Sequence, residues 1–277
     1  MASNQPRPTK AERREAARAK ARALREEQER RERRAKITRR SLLGVGGVAV
    51  AGVVAALVIT GRDDASALGG EVLSELASGD GIPATIRADG SLVFGPDLMP
   101  GTTTDGARTL HIYFDYACHH CANFEELHKT EIETLLRRGD INLVLHSAKF
   151  LGSSWSNMVS NAMGVILDQE PAAAFAFHQA TLARFSEIYT AQNSSALSAE
   201  SVVAAAEDAG VSDAVTEQIA TAISDDTYGA WLELSGKTFK ELGISGTPTV
   251  CVDTEQVSLS TIATETGLTD YLQGGAE

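Results

Sequence analysis

Cysteine is scarce in this chain: three in 277 residues. That excludes a secreted scaffold stapled by several disulfides, which carries more cysteines and carries them in pairs. Aromatic residues make up only 5%, and Trp155 and Trp231 are read as core. Basic residues are scarce after residue 40. Residues 1–40 hold 15 Lys/Arg and 6 Asp/Glu, a balance of 15 − 6 = +9, which leaves (25 − 15) − (37 − 6) = −21 for the remainder. A surface that acidic excludes nucleic-acid binding, which needs a basic face. It suits a solvated domain kept soluble by repulsion. Long apolar runs are almost absent too, with one exception near the N-terminus, and no internal repeat is visible.

That exception is Leu42–Ile59, 18 uncharged residues rich in Val, Ala and Gly, at the lower limit for a membrane span. The dense basic run ending at Arg39-Arg40 precedes it, and Arg62, Asp63 and Asp64 follow. By the positive-inside rule the N-terminus is cytoplasmic and the acidic part extracytoplasmic. Ala11–Lys36 has high helix propensity and no apolar face, as a solvated tail drawn to anionic lipid would. The expected organisation is a basic cytoplasmic tail over 1–40, a transmembrane helix or uncleaved signal anchor over 41–61, a linker over 62–81 and a folded domain over 82–277. The alternative is a twin-arginine export signal, from Thr38-Arg39-Arg40-Ser41-Leu42-Leu43, cleaved near Ala67 after Ala65-Ser66-Ala67. Either route leaves the domain on the oxidising side.

Two of the three cysteines form the run Cys118-His119-His120-Cys121. The apolar segment Thr109–Phe114 before it reads as a buried strand. His119–Arg138 after it reads as a helix, with Phe124, Leu127, Ile132, Leu135 and Leu136 on one inward face. A Cys-x-x-Cys pair at such a junction puts the first sulfur at a helix N-terminus, where unpaired N–H groups and the helix dipole favour a thiolate. Zinc sites use the same spacing. Cys118, Cys121, Cys251 and a histidine would be enough ligands, so metal binding and a static disulfide stay open on the motif alone.

Further along, Pro83–Arg87 and Ser91–Phe94 flank Asp89-Gly90, a hairpin signature. Ile141–His146 reads as a strand parallel to Thr109–Phe114. A helical stretch over about 151–226 follows: Ser153–Asp168; a second helix from Pro171 to about Phe185; Ala199–Ala209 capped by Ser198; and Asp213–Ile223 capped by Ser212. Tyr228–Leu242 is a helix ended by Gly243. Thr249–Val252 and Glu255–Ser258 are short strands, and Thr261–Leu272 a closing helix. His111, His128, His146 and His178 fall on strands or helices and read as structural or surface residues. Asp115 reads as a loop carboxylate close enough to Cys118 to tune it. Cys251, on an apolar strand, reads as a buried, inert thiol.

A second motif, Gly246-Thr247-Pro248-Thr249, lies about 130 residues after the first. With Tyr113–Cys121 and the helical stretch between the two motifs, the chain resembles the thioredoxin superfamily, and within it the DsbA-like thiol–disulfide oxidoreductases of the membrane-anchored bacterial type. The resemblance covers most of the chain from about residue 82. It departs at one position, where the usual Pro-His dipeptide is His119-His120, which bears on the redox potential rather than on the reaction. The resemblance implies an α/β fold: a thioredoxin-like core with a helical insertion, preceded here by an N-terminal transmembrane helix. It implies Cys118 as nucleophile, Cys121 as resolving thiol, His119 and His120 as thiolate stabilisers, and a cis Pro248 with Thr247 orienting an extended substrate. It implies no cofactor and no metal. The partners it implies are exported cysteine-containing proteins and a membrane quinone-linked oxidase. The expected activity is oxidation of cysteine pairs. A disulfide reductase, for example in cytochrome maturation, and a non-catalytic client- or metal-binding module are the alternatives.

Overall fold

The computed structural model describes residues 68–274. The expected basic tail, the apolar segment over 41–61 and the start of the linker lie outside the described residues. Among the described residues no helix is long and apolar enough to cross a membrane.

Two strands form the centre. β2 (Arg108–Phe114) and β3 (Ile141–Ser147) run parallel, with Ile112 opposite Leu145 and Tyr113 opposite His146. β3 is buried along its whole length and β2 from Thr109 on, which is why both read as near-continuous apolar runs rather than as alternating ones. β1 (Leu92–Phe94) pairs antiparallel with β3. β4 (Thr249–Val252) pairs antiparallel with β2, and β5 (Glu255–Val257) with β4, giving the order β1-β3-β2-β4-β5. The β2 to β3 crossover is helix α1 (His119–Arg137).

The insertion contains α2 (Ser154–Gln169), α3 (Ala174–Thr190), α4 (Ala199–Asp208) and α5 (Asp213–Asp225), with a 3-10 turn at Pro171–Ala173 leading into α3. Helix α6 (Gly229–Glu241) returns to the sheet, and Gly243, at φ +67°, lies just past its end in the left-handed conformation that glycine adopts freely. Ser153 caps α2 by accepting the Trp155 N–H at 3.2 Å. Ser198 and Ser212 occupy N-cap positions, but their hydroxyls turn to carboxylates: Ser212 Oγ donates to Glu170 at 2.8 Å and Ser198 bonds Glu200.

Two expectations change. The Asp89-Gly90 turn forms, with Arg87 N–H donating to Ser91 O at 2.9 Å, but Pro83–Arg87 is not a strand and Leu92–Phe94 pairs with β3 instead. The turn serves to dock α6: the Gly90 carbonyl accepts the Trp231 indole N–H at 2.8 Å and the Ser235 hydroxyl at 3.2 Å. The closing helix α7 (Gly267–Gly274) starts six residues later than Thr261. The chain doubles back over buried Ile262, where a Cβ on Gly267 would lie 2.7 Å from the Ile262 backbone. The first N–H groups of α7 then find their acceptor on α1: Glu131 takes those of Leu268 and Thr269 at 3.4 and 2.7 Å. A distant carboxylate therefore meets the start of this helix, which Thr266 precedes, its hydroxyl donating to Asp270 at 3.0 Å.

Candidate active site

The redox loop begins where β2 ends. Asp115 is fully buried. Its carboxylate accepts the N–H of Ala117 at 2.9 Å, the N–H of Leu151 at 2.7 Å and the hydroxyl of Ser156. Three donors from the redox loop, the β3–α2 loop and α2 thus converge on one anion, which fixes these segments to one another. Its own carbonyl accepts the Cys118 N–H at 3.0 Å.

Cys118 occupies the N-cap of α1, with φ −100° and ψ 116°. Its carbonyl accepts the Cys121 and Ala122 N–H groups at 3.0 and 3.1 Å. Both sulfurs are thiols, and the Cys118 thiol donates to the Thr247 carbonyl at 3.4 Å. The Thr247–Pro248 peptide is cis, in agreement with the expectation for this loop, so the two motifs meet across the 129 positions between them.

The two thiols are electrostatically unlike. The Cys121 thiol beside it holds Cys118 down to about 5, helped by Thr247 and by the Cys121 and His120 backbone N–H groups and opposed by burial. Cys121 moves the other way, pushed far up by burial first and by its interaction with Cys118 second. The result is one stabilised thiolate and one protonated thiol three residues apart, the asymmetry that nucleophilic disulfide exchange requires.

His119 stacks face to face on Tyr189 of α3, at 4.7 Å between centroids and 1° between planes, and His120 lies against His119 at 3.8 Å. The stack continues inward through Phe185 and Trp155. Among the described residues neither imidazole hydrogen-bonds the Cys118 sulfur; His120 contributes its backbone N–H. The insertion therefore grips the dipeptide, and a partner so far along the chain as Tyr189 gives no signal in sequence.

Cys251 is buried with Tyr113, Ala148 and Phe239 in a cluster separate from the one that holds Cys118 and Cys121, and burial pushes its thiol up to about 11. Among the described residues no three His, Cys, Asp or Glu side chains converge as a metal site requires. His111 and His146 face each other at 3.0 Å, and burial keeps both neutral, His146 down to about 3.

Sequence reading missed the buried ionisable groups of α1. Glu125, His128 and Glu131 share its inward face with Phe124, Ile132 and Leu135, while Leu127 is only half-buried. His128 pairs with Glu131 at 2.9 Å, and Glu125 lies 3.5 Å from His178 of α3. The available signal was polar residues recurring at core positions of an amphipathic helix.

Comparison with known proteins agrees with this geometry. The thioredoxin family model matches residues 101–270. The chain is similar to MdbA, a thiol-disulfide oxidoreductase from Actinomyces oris, at 39% identity over 73% of this chain and 96% of that chain, with TM-score 0.68. MdbA from Corynebacterium diphtheriae (18% identity, 78% of this chain, 100% of that chain, TM-score 0.51) and oxidised BdbD from Bacillus subtilis (16%, 73%, 98%, 0.53) share the fold. No curated protein matches.

Proposed function

The chain belongs to the thioredoxin family and is a thiol–disulfide oxidoreductase, and from that premise we propose that it oxidises cysteine pairs in exported proteins from the outer face of a membrane. The carrying observation is the opposed behaviour of its two thiols, Cys118 held down to about 5 and Cys121 pushed up. Whatever stabilises the reduced thiolate lowers the affinity of the pair for its oxidised form, so the disulfide becomes a stronger oxidant.

In the oxidised enzyme a client thiolate attacks Cys118 Sγ. The Cys118–Cys121 bond breaks, and Cys121 leaves with the electron pair and takes up a proton. The second client thiolate then attacks the client sulfur of the mixed disulfide. The client disulfide forms and Cys118 leaves as the thiolate its surroundings favour. Thr247 and Pro248 face this event, and half-buried Thr247 offers a backbone edge for an extended client segment. The electrons must then pass to an acceptor, for which a membrane quinone-linked oxidase is proposed.

A couple with these features is expected near −120 mV, about the value of strong oxidants. Equilibrating the full chain in glutathione buffers and reading thiol alkylation by mass measures it. A value near −270 mV, about that of thioredoxin, would reverse the proposed direction and make the protein a reductase.

The membrane placement rests on Leu42–Ile59 and on the +9 balance of residues 1–40 before it. The expected outcome in cells is a chain that stays with membranes through an alkaline wash and whose catalytic domain is degraded by external protease. A soluble form beginning near residue 68 would favour the cleaved twin-arginine route.

A further inference from the structure

Three buried groups take no part in the exchange at Cys118: His111 on β2, His146 on β3 and Cys251 on β4. They share one face of the sheet. His111 is opposite Cys251 and Tyr113 opposite His146, and the Tyr113 and His146 rings stack at 4.1 Å between centroids. The segment Leu68–Gly70 lies across this patch. Leu68 packs on the cluster of Tyr113, Ala148, Phe239 and Cys251. The Gly69 N–H donates to the Tyr113 hydroxyl at 3.2 Å, and the Gly70 N–H to the Asp253 carbonyl at 2.7 Å. The Gly70 carbonyl accepts from His111 Nε2 at 2.9 Å. Gly69 is at φ +77°, and a Cβ on it would strike the Asp253 carbonyl and lie 3.1 Å from Cys251 Cβ. Only glycine lets the backbone approach so closely.

A carbonyl only accepts, so His111 carries its hydrogen on Nε2. Its Nδ1 is then the acceptor for the His146 Nε2–H at 3.0 Å. Both nitrogens of His111 are thus paired while the ring is neutral. A further proton would have to sit on Nδ1, where the His146 N–H already points, and would place a cation beneath the segment. The titratable or charged groups facing His111 are His146 from β3, Tyr113 on its own strand, Cys251 from β4, Asp253 from the β4–β5 turn and Asp89 from the turn before β1. Asp253 is itself engaged by Arg108. The Gly70 carbonyl, Asp89 and Asp253 favour a cation at His111, but burial outweighs all three.

We propose that Leu68–Gly70 is an acid-released latch, closed over the Cys251 patch while His111 is neutral and open once His111 takes up a proton. In the open state His111 is solvated and ionises near its ordinary value of about 6.5. In the closed state burial resists that charge. Closure is therefore complete above about 6.5 and weakens as pH falls below it, by at most about tenfold per pH unit for one proton. Opening frees the point at which residues 1–67 join the domain. It also uncovers Cys251, which serves as the reporter of the latch.

In the oxidised full chain, with Cys118 and Cys121 joined, Cys251 is the one thiol left. Its reaction with 4,4′-dithiodipyridine, read by the thiopyridone released, is divided by the rate for the guanidinium-unfolded oxidised chain at the same pH. The protection so measured is expected to fall about tenfold or more between about pH 7.5 and 5, while the fluorescence of Trp155 and Trp231 stays that of the folded domain. Gly69→Ala cannot seat the segment and is expected to lose protection at both pH values. His111→Gln keeps a donor for the Gly70 carbonyl but gains no charge. It is expected to hold at pH 5 the protection it has at pH 7.5, and it carries the test alone if Gly69→Ala does not fold. The proposal is overturned by wild-type protection that is flat with pH or falls only as fluorescence reports unfolding. It is equally overturned by protection that survives Gly69→Ala or that falls as steeply in His111→Gln.

Discussion

Cys118→Ser is expected to remove disulfide exchange altogether, a loss of at least about a thousandfold, because a hydroxyl forms neither the disulfide nor the thiolate on which both half-reactions depend. Cys121→Ser is expected to behave differently. Cys118 keeps its place at the start of α1 and its contact with Thr247, so it still attacks disulfides, but nothing resolves the adduct. Client proteins should then accumulate as mixed disulfides on Cys118, visible as higher-mass species on non-reducing gels and absent from the double variant. The serine also removes the Cys121 thiol, the largest single influence holding Cys118 down, so the Cys118 titration should move up in the same variant. Equal activity of Cys118→Ser and wild type would end the assignment of Cys118 as nucleophile.

A large pH effect is expected from the same pair. Cys118 is held down to about 5 in the fold, chiefly by the Cys121 thiol, against an ordinary thiol value of 9.0. Alkylation of the reduced protein should therefore level off from about pH 6 upward, where an ordinary thiol is still rising steeply. The same difference links stability to pH. Between 5 and 9 the unfolded chain binds a proton at Cys118 that the folded chain has released, so folding stability of the reduced form rises with pH across that window. The gain is complete above 9 and is lost as pH falls through 5. The slope is bounded by about 1.4 kcal/mol per pH unit. The oxidised form has no thiolate there, so it is the difference in Tm between reduced and oxidised protein that should widen from pH 5 to 9. Above 9 Cys121 acts in the opposite sense. Its thiol stays protonated in the fold while the unfolded chain releases the proton, so stability declines again. A reduced-minus-oxidised Tm difference that is flat across pH 5 to 9 would mean that Cys118 is not a stabilised thiolate.

The parts of the site that the chain announces are local. Cys118 and Cys121 are separated by two residues, and a strand followed by a helix places them whatever the rest of the fold does. The strands Arg108–Phe114 and Ile141–Ser147 and helices α1 to α6 were legible for a related reason. Burial on both faces leaves unbroken apolar runs, and burial on one leaves a helical stripe. Where a boundary depended on a distant group, reading failed. The first N–H groups of α7 find Glu131 on α1, and the first arm of the expected hairpin bridges Leu76 through Arg87 instead.

The residues of Cys118–Cys121 and Gly246–Thr249 carried the resemblance that implied the reaction class. The composition around them determined the acidic character of the domain and the single apolar segment before it. Only the tertiary structure decided what surrounds the sulfurs. Asp115 reads as a loop carboxylate in sequence and is fully buried in the fold, where it ties three segments together. His119 and His120 read as thiolate stabilisers, and the fold stacks the first on Tyr189, about 70 residues away. Glu125 and His178 have no sequence relation to each other, yet they meet beside Cys121. The reason is one of range. Helix and strand patterns are repeated within a few residues and survive in the one-dimensional string, whereas the surroundings of a buried charge are supplied by whichever distant elements the packing brings to it.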